Sequence, residues 1–280
     1  MGGDAFSEFE RAGWERAAAR YEECWTDTVL FAEPLLDAAA VRAGSRLLDV
    51  ACGPGYISVA AAVRGAEPVG LDVAVAMVER ARRRCPGCRF IAGDAQRLPF
   101  RDASFDAVTM NFGILHLSQP ETAIAEMRRV LVPGGRSAFT VWVAEGNAAD
   151  EIVDAAIAAH AVAVEVPAGP PVYRFADAAE CRRALAEGGF DVASCRMETV
   201  TPLWRVPTPE LLFHAHVGAG VRTGAVLRGQ PPERLEAIRA AIVEGVQRYA
   251  DGTAFALPIA ARVISARVGH ASQAAELGAS

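Results

Sequence analysis

Not one of the 28 basic residues in this 280-residue chain is a lysine; all are arginine. That absence removes Schiff-base chemistry, a Walker-type phosphate lysine and a lysine general base. Basic charge is also in deficit overall, with a formal net charge of −6 and a pI near 5.5. A surface that tracks nucleic-acid phosphates is therefore not expected. No apolar run approaches the roughly 18–20 residues needed to span a bilayer, so no membrane partner is expected either. The opening Met1-Gly2-Gly3-Asp4 lacks an apolar signal core. It carries Phe6 where a myristoylation signal wants Ser or Thr, so the expected location is the cytoplasm. Six cysteines include one C-x-x-C, Cys85-Pro86-Gly87-Cys88. It falls between a predicted helix and a predicted strand, with no second ligand pair for zinc, and is read as a turn holding two thiols; no metal is expected.

What is present is a chain 52% apolar and 22% charged, which is globular composition. Residues 5–31 are predicted helical, with Trp14, Ala18, Tyr21 and Trp25 on one stripe that could cap a ligand pocket. A strict alternation follows. Short apolar strands are predicted over 46–51, 68–71, 89–92, 105–110 and 136–143, separated by helical stretches over 56–64, 75–84 and 120–131. Strands this short between helices imply an α/β fold, a parallel sheet covered on both faces. Ligands of such sheets bind beyond the carboxyl ends of the strands, where strand order reverses. The residues that follow each strand are therefore the candidates. The second half is less regular: helices are predicted over 148–164, 177–187 and 208–249, and strands over 190–200 and 254–268. The expected organisation is an N-terminal helical cap (1–40), a Rossmann-like core (41–145), and the rest of the sheet (146–280) with a helical substrate-binding insertion at about 205–250.

The central motif is Asp49-Val-Ala51-Cys-Gly53-Pro-Gly55, after a strand and before a helix. Its glycines allow a sharp turn and a close backbone approach to a ligand. A dinucleotide is disfavoured, because Asp49 at the strand end would oppose a pyrophosphate at a cost of several kcal/mol for an effective dielectric of about 20. The same carboxylate suits a ligand bearing an ammonium group. Asp72 ends the second strand, where an acidic residue accepts hydrogen bonds from ribose hydroxyls, with Val73 beside it. Gly93-Asp94-Ala95 offers a carboxylate and a backbone N–H after the third strand.

Together, L-D-V-A-C-G-P-G (48–55), G-L-D (70–72), G-D-A-Q-R-L-P-F (93–100), F-D-A-V (105–108) and R-R-V-L-V-P-G-G-R (128–136) resemble class I S-adenosylmethionine (SAM)-dependent methyltransferases, nearest the ubiquinone/menaquinone-biosynthesis type. The resemblance covers residues 40–143, about a third of the chain. It implies a seven-stranded sheet whose last strand is antiparallel, and SAM as cofactor with S-adenosylhomocysteine as product. It further implies that Asp49, Ala51, Gly53 and Gly55 hold the methionine end of SAM and that Asp72 and Val73 lie at the ribose. Met77 would pack on the adenine, Asp94 and Ala95 would read it, Asn111 and His116 would line the pocket, and Tyr21 would close over the methionine carboxylate. His116, following the fourth strand, is the candidate general base. Trp14, Trp25, Trp142, Arg174 and His214 are the candidate acceptor contacts, with Tyr173 and Trp204 as further aromatic walls for a planar or apolar small molecule. His214 and His216, two apart, do not share a helix face, which argues against a metal pair. The expected partner is a small-molecule acceptor, methylated on carbon, oxygen or nitrogen, with a homodimer left open. The alternative is the same fold reused for a non-methylating enzyme or a SAM-binding regulator.

Overall fold

The structure, a computed structural model, describes residues 4–269. The Met1-Gly2-Gly3 start lies outside them. The sheet strands are β1 (Arg46–Val50), β2 (Glu67–Asp72), β3 (Arg89–Ala92), β4 (Phe105–Asn111), β5 (Leu131–Trp142), β6 (Asp191–Val200) and, last among the described residues, β10 (Ala261–Arg267). They run in the order β3-β2-β1-β4-β5-β10-β6. β1 pairs in parallel with both β2 and β4, so strand order reverses about β1. β10 is antiparallel to both β5 and β6, the inverted last strand that the resemblance implied.

β1 explains the sheet's burial. Leu47, Leu48, Asp49 and Val50 are all inaccessible to solvent, as a central parallel strand covered on both faces must be. The helices between the strands are α4 (Tyr56–Val63), α5 (Val75–Arg84), α6 (Pro120–Val130), α7 (Ala148–His160) and α8 (Ala178–Glu187). Pro120 starts α6 at a position whose N–H would be unbonded in any case. Leu48, Val50, Met110, Ile124, Met127, Phe139 and Ile264 form the main core.

Three expectations need correction. The predicted helix over 5–31 is broken into α1 (Ala5–Ala17), α2 (Tyr21–Cys24) and a single 3₁₀ turn, followed by α3 (Ala32–Ala38). The aromatic stripe splits accordingly. Trp14 meets Tyr21 edge-on at 6.0 Å, whereas Trp25 stacks on Trp204 at 6.3 Å. The strand predicted over 254–268 is two strands, β9 (Ala254–Pro258) and β10, with Ile259-Ala260 turning the chain between two sheets. β9 pairs with β7 (Leu203–Val206) and β8 (Ala250–Asp251) in a small antiparallel sheet. The insertion that carries α9 (Glu210–Ala219), α10 (Arg222–Arg228) and α11 (Pro232–Gln247) thus has a β-sheet of its own. Its core is Trp204, Leu212, Ile238, Ile242 and Leu257 packed on α7. Finally, Cys85 and Cys88 are joined as a disulfide across their turn, S–S 1.93 Å, rather than standing as two thiols. No helix among the described residues is long and apolar enough to cross a membrane.

Candidate functional site

One cavity of about 340 Å³ opens at the carboxyl ends of β1, β2 and β4, roofed by α1, α2 and the α9–α10 segment. The first wall comes from the turn after β1. Ala51 and Gly53 both adopt left-handed backbone, φ 51° and 52°, and Gly55 has φ 87°. At Gly55 a side chain is excluded twice over, because a Cβ there would press on Ala81 and the Phe90 ring at 3.1 and 3.2 Å as well as strain the backbone. Gly55 therefore shapes the turn from behind and does not line the cavity; Ala51 and Gly53 do line it.

Asp49 differs from the expectation. It is fully buried beneath the turn and does not reach the cavity. Ser58 Oγ donates to its Oδ2 at 2.7 Å, and Thr109 Oγ1 lies 3.4 Å from Oδ1. Ser58, on the first turn of α4, is the residue that satisfies this carboxylate. Burial pushes Asp49 up to about 7 against those hydrogen bonds. Asp72 does face the cavity. Its Oδ2 accepts the Gly53 N–H at 2.8 Å and its Oδ1 the Ala74 N–H at 2.9 Å. The carboxylate is thereby locked against the turn with further lone pairs available. Burial raises it to about 6 in spite of both bonds. Val73, Met77, Asp94 and Ala95 continue this wall. Asp94 Oδ1 accepts the Gln96 N–H at 2.8 Å, which fixes the turn after β3.

The roof is fastened by buried charge. Glu10 on α1, only 3% exposed, takes the Arg222 Nε–H at 2.9 Å and lies 2.9 Å from His116 Nδ1. Burial alone would raise the Glu10 carboxyl, but the charges of His116 and Arg222 outweigh it and hold the group below its usual range. An ionised carboxylate only accepts, so in this contact Nδ1 of His116 is the donor. Arg222 also donates to the carbonyls of Leu115 and, at 3.0 Å, Pro170. The ring of Trp14 meets that of His116 edge-on at 4.8 Å. Glu15, one turn further along α1, accepts the first two N–H groups of α5 at 2.7 and 3.0 Å, a capping contact from another element.

The opposite arm of the cavity is aromatic and acidic. Trp142, at the end of β5, stacks on Phe112 with ring centroids 3.8 Å apart. The Asn111 amide is committed to the Thr28 carbonyl (3.0 Å) and to Thr140 (2.7 Å), so it lines the cavity as a strut. Trp25, Tyr21 and Tyr173 also line it. Asp27 lies here, 3% exposed, with no hydrogen-bond partner for Oδ1 among the described residues, and burial pushes it up to about 7. Asp150 accepts the Asn147 amide at 2.9 Å and the Tyr173 hydroxyl at 3.2 Å; burial and then the neighbouring Asp154 raise it to about 7. His216 lies edge-on to Trp25 at 4.9 Å, and burial lowers it to about 4, so it is neutral at ordinary pH. Among the described residues no three His, Cys, Asp or Glu side chains converge to hold a metal.

Two predicted acceptor contacts are elsewhere. Arg174 is spent on Glu121 and Glu180 and stacks on Phe175, outside the cavity. His214 is exposed on α9, and it is His216, two residues on, that faces inward. Trp204 is buried behind Trp25 with its indole N–H on Thr26 at 3.0 Å. Glu10, Asp27, Asp150 and Arg222 were not singled out by the sequence, and His216 was weighed only as a metal partner of His214 and set aside. Only Asp150 carried a signal, as a residue following the end of a sheet strand.

Four of the raised aspartates, the more buried ones, make stability depend on pH in a definite sense. In the unfolded chain each carboxyl loses its proton near pH ~4. In the folded protein Asp27, Asp49 and Asp150 keep theirs to about 7 and Asp72 to about 6. The native state binds more protons between those values, so stability falls as pH rises across that window and is level above it. The ligand-free protein should melt at a higher temperature near pH ~5.5 than near pH ~8, and Asp49→Asn should flatten the profile. A melting temperature that rises with pH over the same interval would show the groups to be ionised in the fold.

Comparison with known proteins agrees with this geometry. Residues 48–139 match the methyltransferase-domain family. Demethylmenaquinone methyltransferase of Renibacterium salmoninarum is 47% identical over 102 residues, 36% of this chain and 43% of that protein. The ubiquinone/menaquinone biosynthesis C-methyltransferase of Ruegeria sp. is 40% identical over 116 residues, 38% of this chain and 46% of that one. The matched segment spans less than half the length of either relative. A putative methyltransferase from an antibiotic biosynthesis pathway of Anabaena variabilis superposes with TM-score 0.57 at 19% identity, covering 85% of this chain and 96% of that one. Phosphoethanolamine N-methyltransferase 2 of Haemonchus contortus, solved with SAM, gives TM-score 0.57 at 17% identity, covering 96% of this chain and 61% of that one. At these identities the structural matches speak for the fold.

Proposed function

We propose that this chain, whose residues 48–139 match the methyltransferase-domain family, is a SAM-dependent methyltransferase acting on a small-molecule acceptor. One observation carries the reading: a single cavity joins the strand ends bearing Asp72 and Asp94 to an aromatic arm beneath a charge-fastened roof. SAM would supply an electrophilic methyl group with a neutral thioether as leaving group. Asp72 offers both carboxylate oxygens to the ribose hydroxyls, and the Ala95 N–H, which has no partner among the described residues, offers a donor to the adenine. Asp49 acts indirectly, by holding Ser58 and so the turn. The chain's contribution to rate is alignment and exclusion of water, and alignment of two reactants is worth roughly 7–11 kcal/mol. His116, through Nε2, is the candidate base for a hydroxyl acceptor; an amine needs no such base once it is neutral.

Trp142, stacked on Phe112 at the end of β5, is placed to form the acceptor wall. Trp142→Ala should lower kcat/KM for the acceptor about 30-fold, corresponding to about 2 kcal/mol of lost contact, and leave S-adenosylhomocysteine affinity within about threefold. Isotope-labelled SAM, a metabolite panel and mass spectrometry test the reading. Label transferred to a small molecule supports it. Cofactor binding without transfer to any class of acceptor would favour the reused-fold alternative.

A further inference from the structure

The proposed activity leaves the acidic arm of the cavity unexplained. An aromatic wall alone would suit a neutral quinol, yet this arm holds three carboxylates. Asp27 approaches from the segment after α2, and Asp150 and Asp154 lie one turn apart on α7. Asp27 and Asp150 are close enough that the charge of Asp150 adds to the burial that disfavours ionised Asp27. Asp27 Oδ1 has no partner among the described residues, although the residue is 97% withdrawn from solvent. A buried acceptor atom left without a donor costs about 1–3 kcal/mol, which a ligand N–H would recover.

The other polar groups of this arm do not neutralise it. Tyr173 and Asn147 donate to Asp150 without adding charge, and His216 is neutral. The arginines that line the cavity are Arg222, which is spent on Glu10 and two carbonyls, and Arg11 on the exposed side of α1, while His116 is held by Glu10. A metal is not the answer, since among the described residues no three ligating groups converge. Carboxylates with aromatic faces beside them, here Trp25, Trp142 and Tyr173, form a recognition site for an organic ammonium group.

Resting on the methyltransferase reading, we propose that the acceptor is an amine, bound as its ammonium ion between Asp27 and the Asp150–Asp154 pair, and that the enzyme is an N-methyltransferase. Asp150 takes one proton from the ammonium group, leaving a neutral amine with a free lone pair. That lone pair forms the new N–C bond to the methyl carbon as the C–S bond breaks, with the bonding pair leaving on sulfur. The products are the N-methylated ammonium ion and S-adenosylhomocysteine. The proton on Asp150 passes to water through Asp154, which is exposed at the cavity mouth.

The test uses the full chain saturated with S-adenosylhomocysteine, and matched pairs of aromatic probes that differ only at the polar end: phenylethylamine with phenylethanol, and tryptamine with tryptophol. Hydroquinone serves as the neutral quinol probe. Calorimetry should show the amines binding at least ten times more tightly than their alcohols and than hydroquinone. Asp150→Asn, which keeps the hydrogen bonds of Asn147 and Tyr173 within reach, should abolish that preference while leaving S-adenosylhomocysteine affinity unchanged. With SAM in place of the product, wild type should methylate nitrogen and the variant should lose at least tenfold in kcat/KM. Equal binding of amine and neutral partner, no binding of either amine, or a preference that survives in Asp150→Asn overturns the amine assignment. Loss of S-adenosylhomocysteine affinity in Asp150→Asn also overturns it, by placing the carboxylate at the cofactor. A wild type that binds no S-adenosylhomocysteine at all fails the methyltransferase reading itself.

Discussion

Asp72→Ala should weaken S-adenosylhomocysteine binding by at least about 100-fold, the largest effect expected of any single substitution in this chain. Two contributions combine. A hydrogen bond to a charged acceptor is worth about 1.5–3 kcal/mol, and the carboxylate can take two ribose hydroxyls. The same oxygens also hold the N–H groups of Gly53 and Ala74, at 2.8 and 2.9 Å, so the turn after β1 loses its anchor. A total near 3 kcal/mol corresponds to roughly 100-fold in Kd. Asp72→Asn, which can keep one of these acceptor roles, should lose less. Calorimetric titration of both variants decides the point. Affinity within about threefold of wild type in Asp72→Ala would mean that the ribose lies elsewhere.

Glu10→Ala should both destabilise the protein and open the cavity. Glu10 is 4% exposed at its side chain and joins α1 to Arg222 of α10 and to His116 after β4. Breaking a buried pair by removing one partner costs about 3–5 kcal/mol; Arg222, 18% exposed and still bonded to two carbonyls, places this case near the lower end. At about 2–4 °C per kcal/mol for a chain of this size, the melting temperature should fall by roughly 6–10 °C. Because the folded-state value of Glu10 is depressed, its stabilisation is present above the ordinary carboxyl range and is lost as pH falls through the depressed value. The deficit of Glu10→Ala relative to wild type should therefore shrink under acid conditions. The roof loosens with the pair, so kcat should drop as well. Glu10→Gln, which retains a hydrogen bond to Arg222, should show a smaller deficit. A variant as stable as wild type at neutral pH would show that the roof is held by packing alone.

The half of the molecule that alternates strand and helix was open to a reading from sequence because local chemistry fixes it. Apolar strands of four to seven residues, glycines where the backbone turns left-handed, and acidic residues at strand ends are all features of neighbours in the chain. Asp72, Asp94 and Trp142 therefore stand where that pattern puts them. The cap and the insertion were opaque for the opposite reason. Glu10 and Arg222 are 212 residues apart, and Asn111 and Thr28 are 83 apart, so no local periodicity records either contact. The Trp14–Trp25 stripe misled because its 3.6-residue spacing runs through the break after Ala17, where the chain reorients and sends Trp25 toward Trp204. Asp49 was placed on the correct strand end but on the wrong side of the turn. Nothing in the spacing distinguishes a carboxylate that meets a ligand from one that braces the loop beneath it, whereas the Ser58 hydrogen bond does.

The claim on which the rest depends is that the turn after β1, with Asp72 and Asp94 beyond it, is a SAM site. Calorimetric titration of the wild-type chain with SAM and separately with S-adenosylhomocysteine tests it most directly. Micromolar binding of both, with one site per chain, is the expected result. Binding of neither under conditions where the protein is folded would contradict the account.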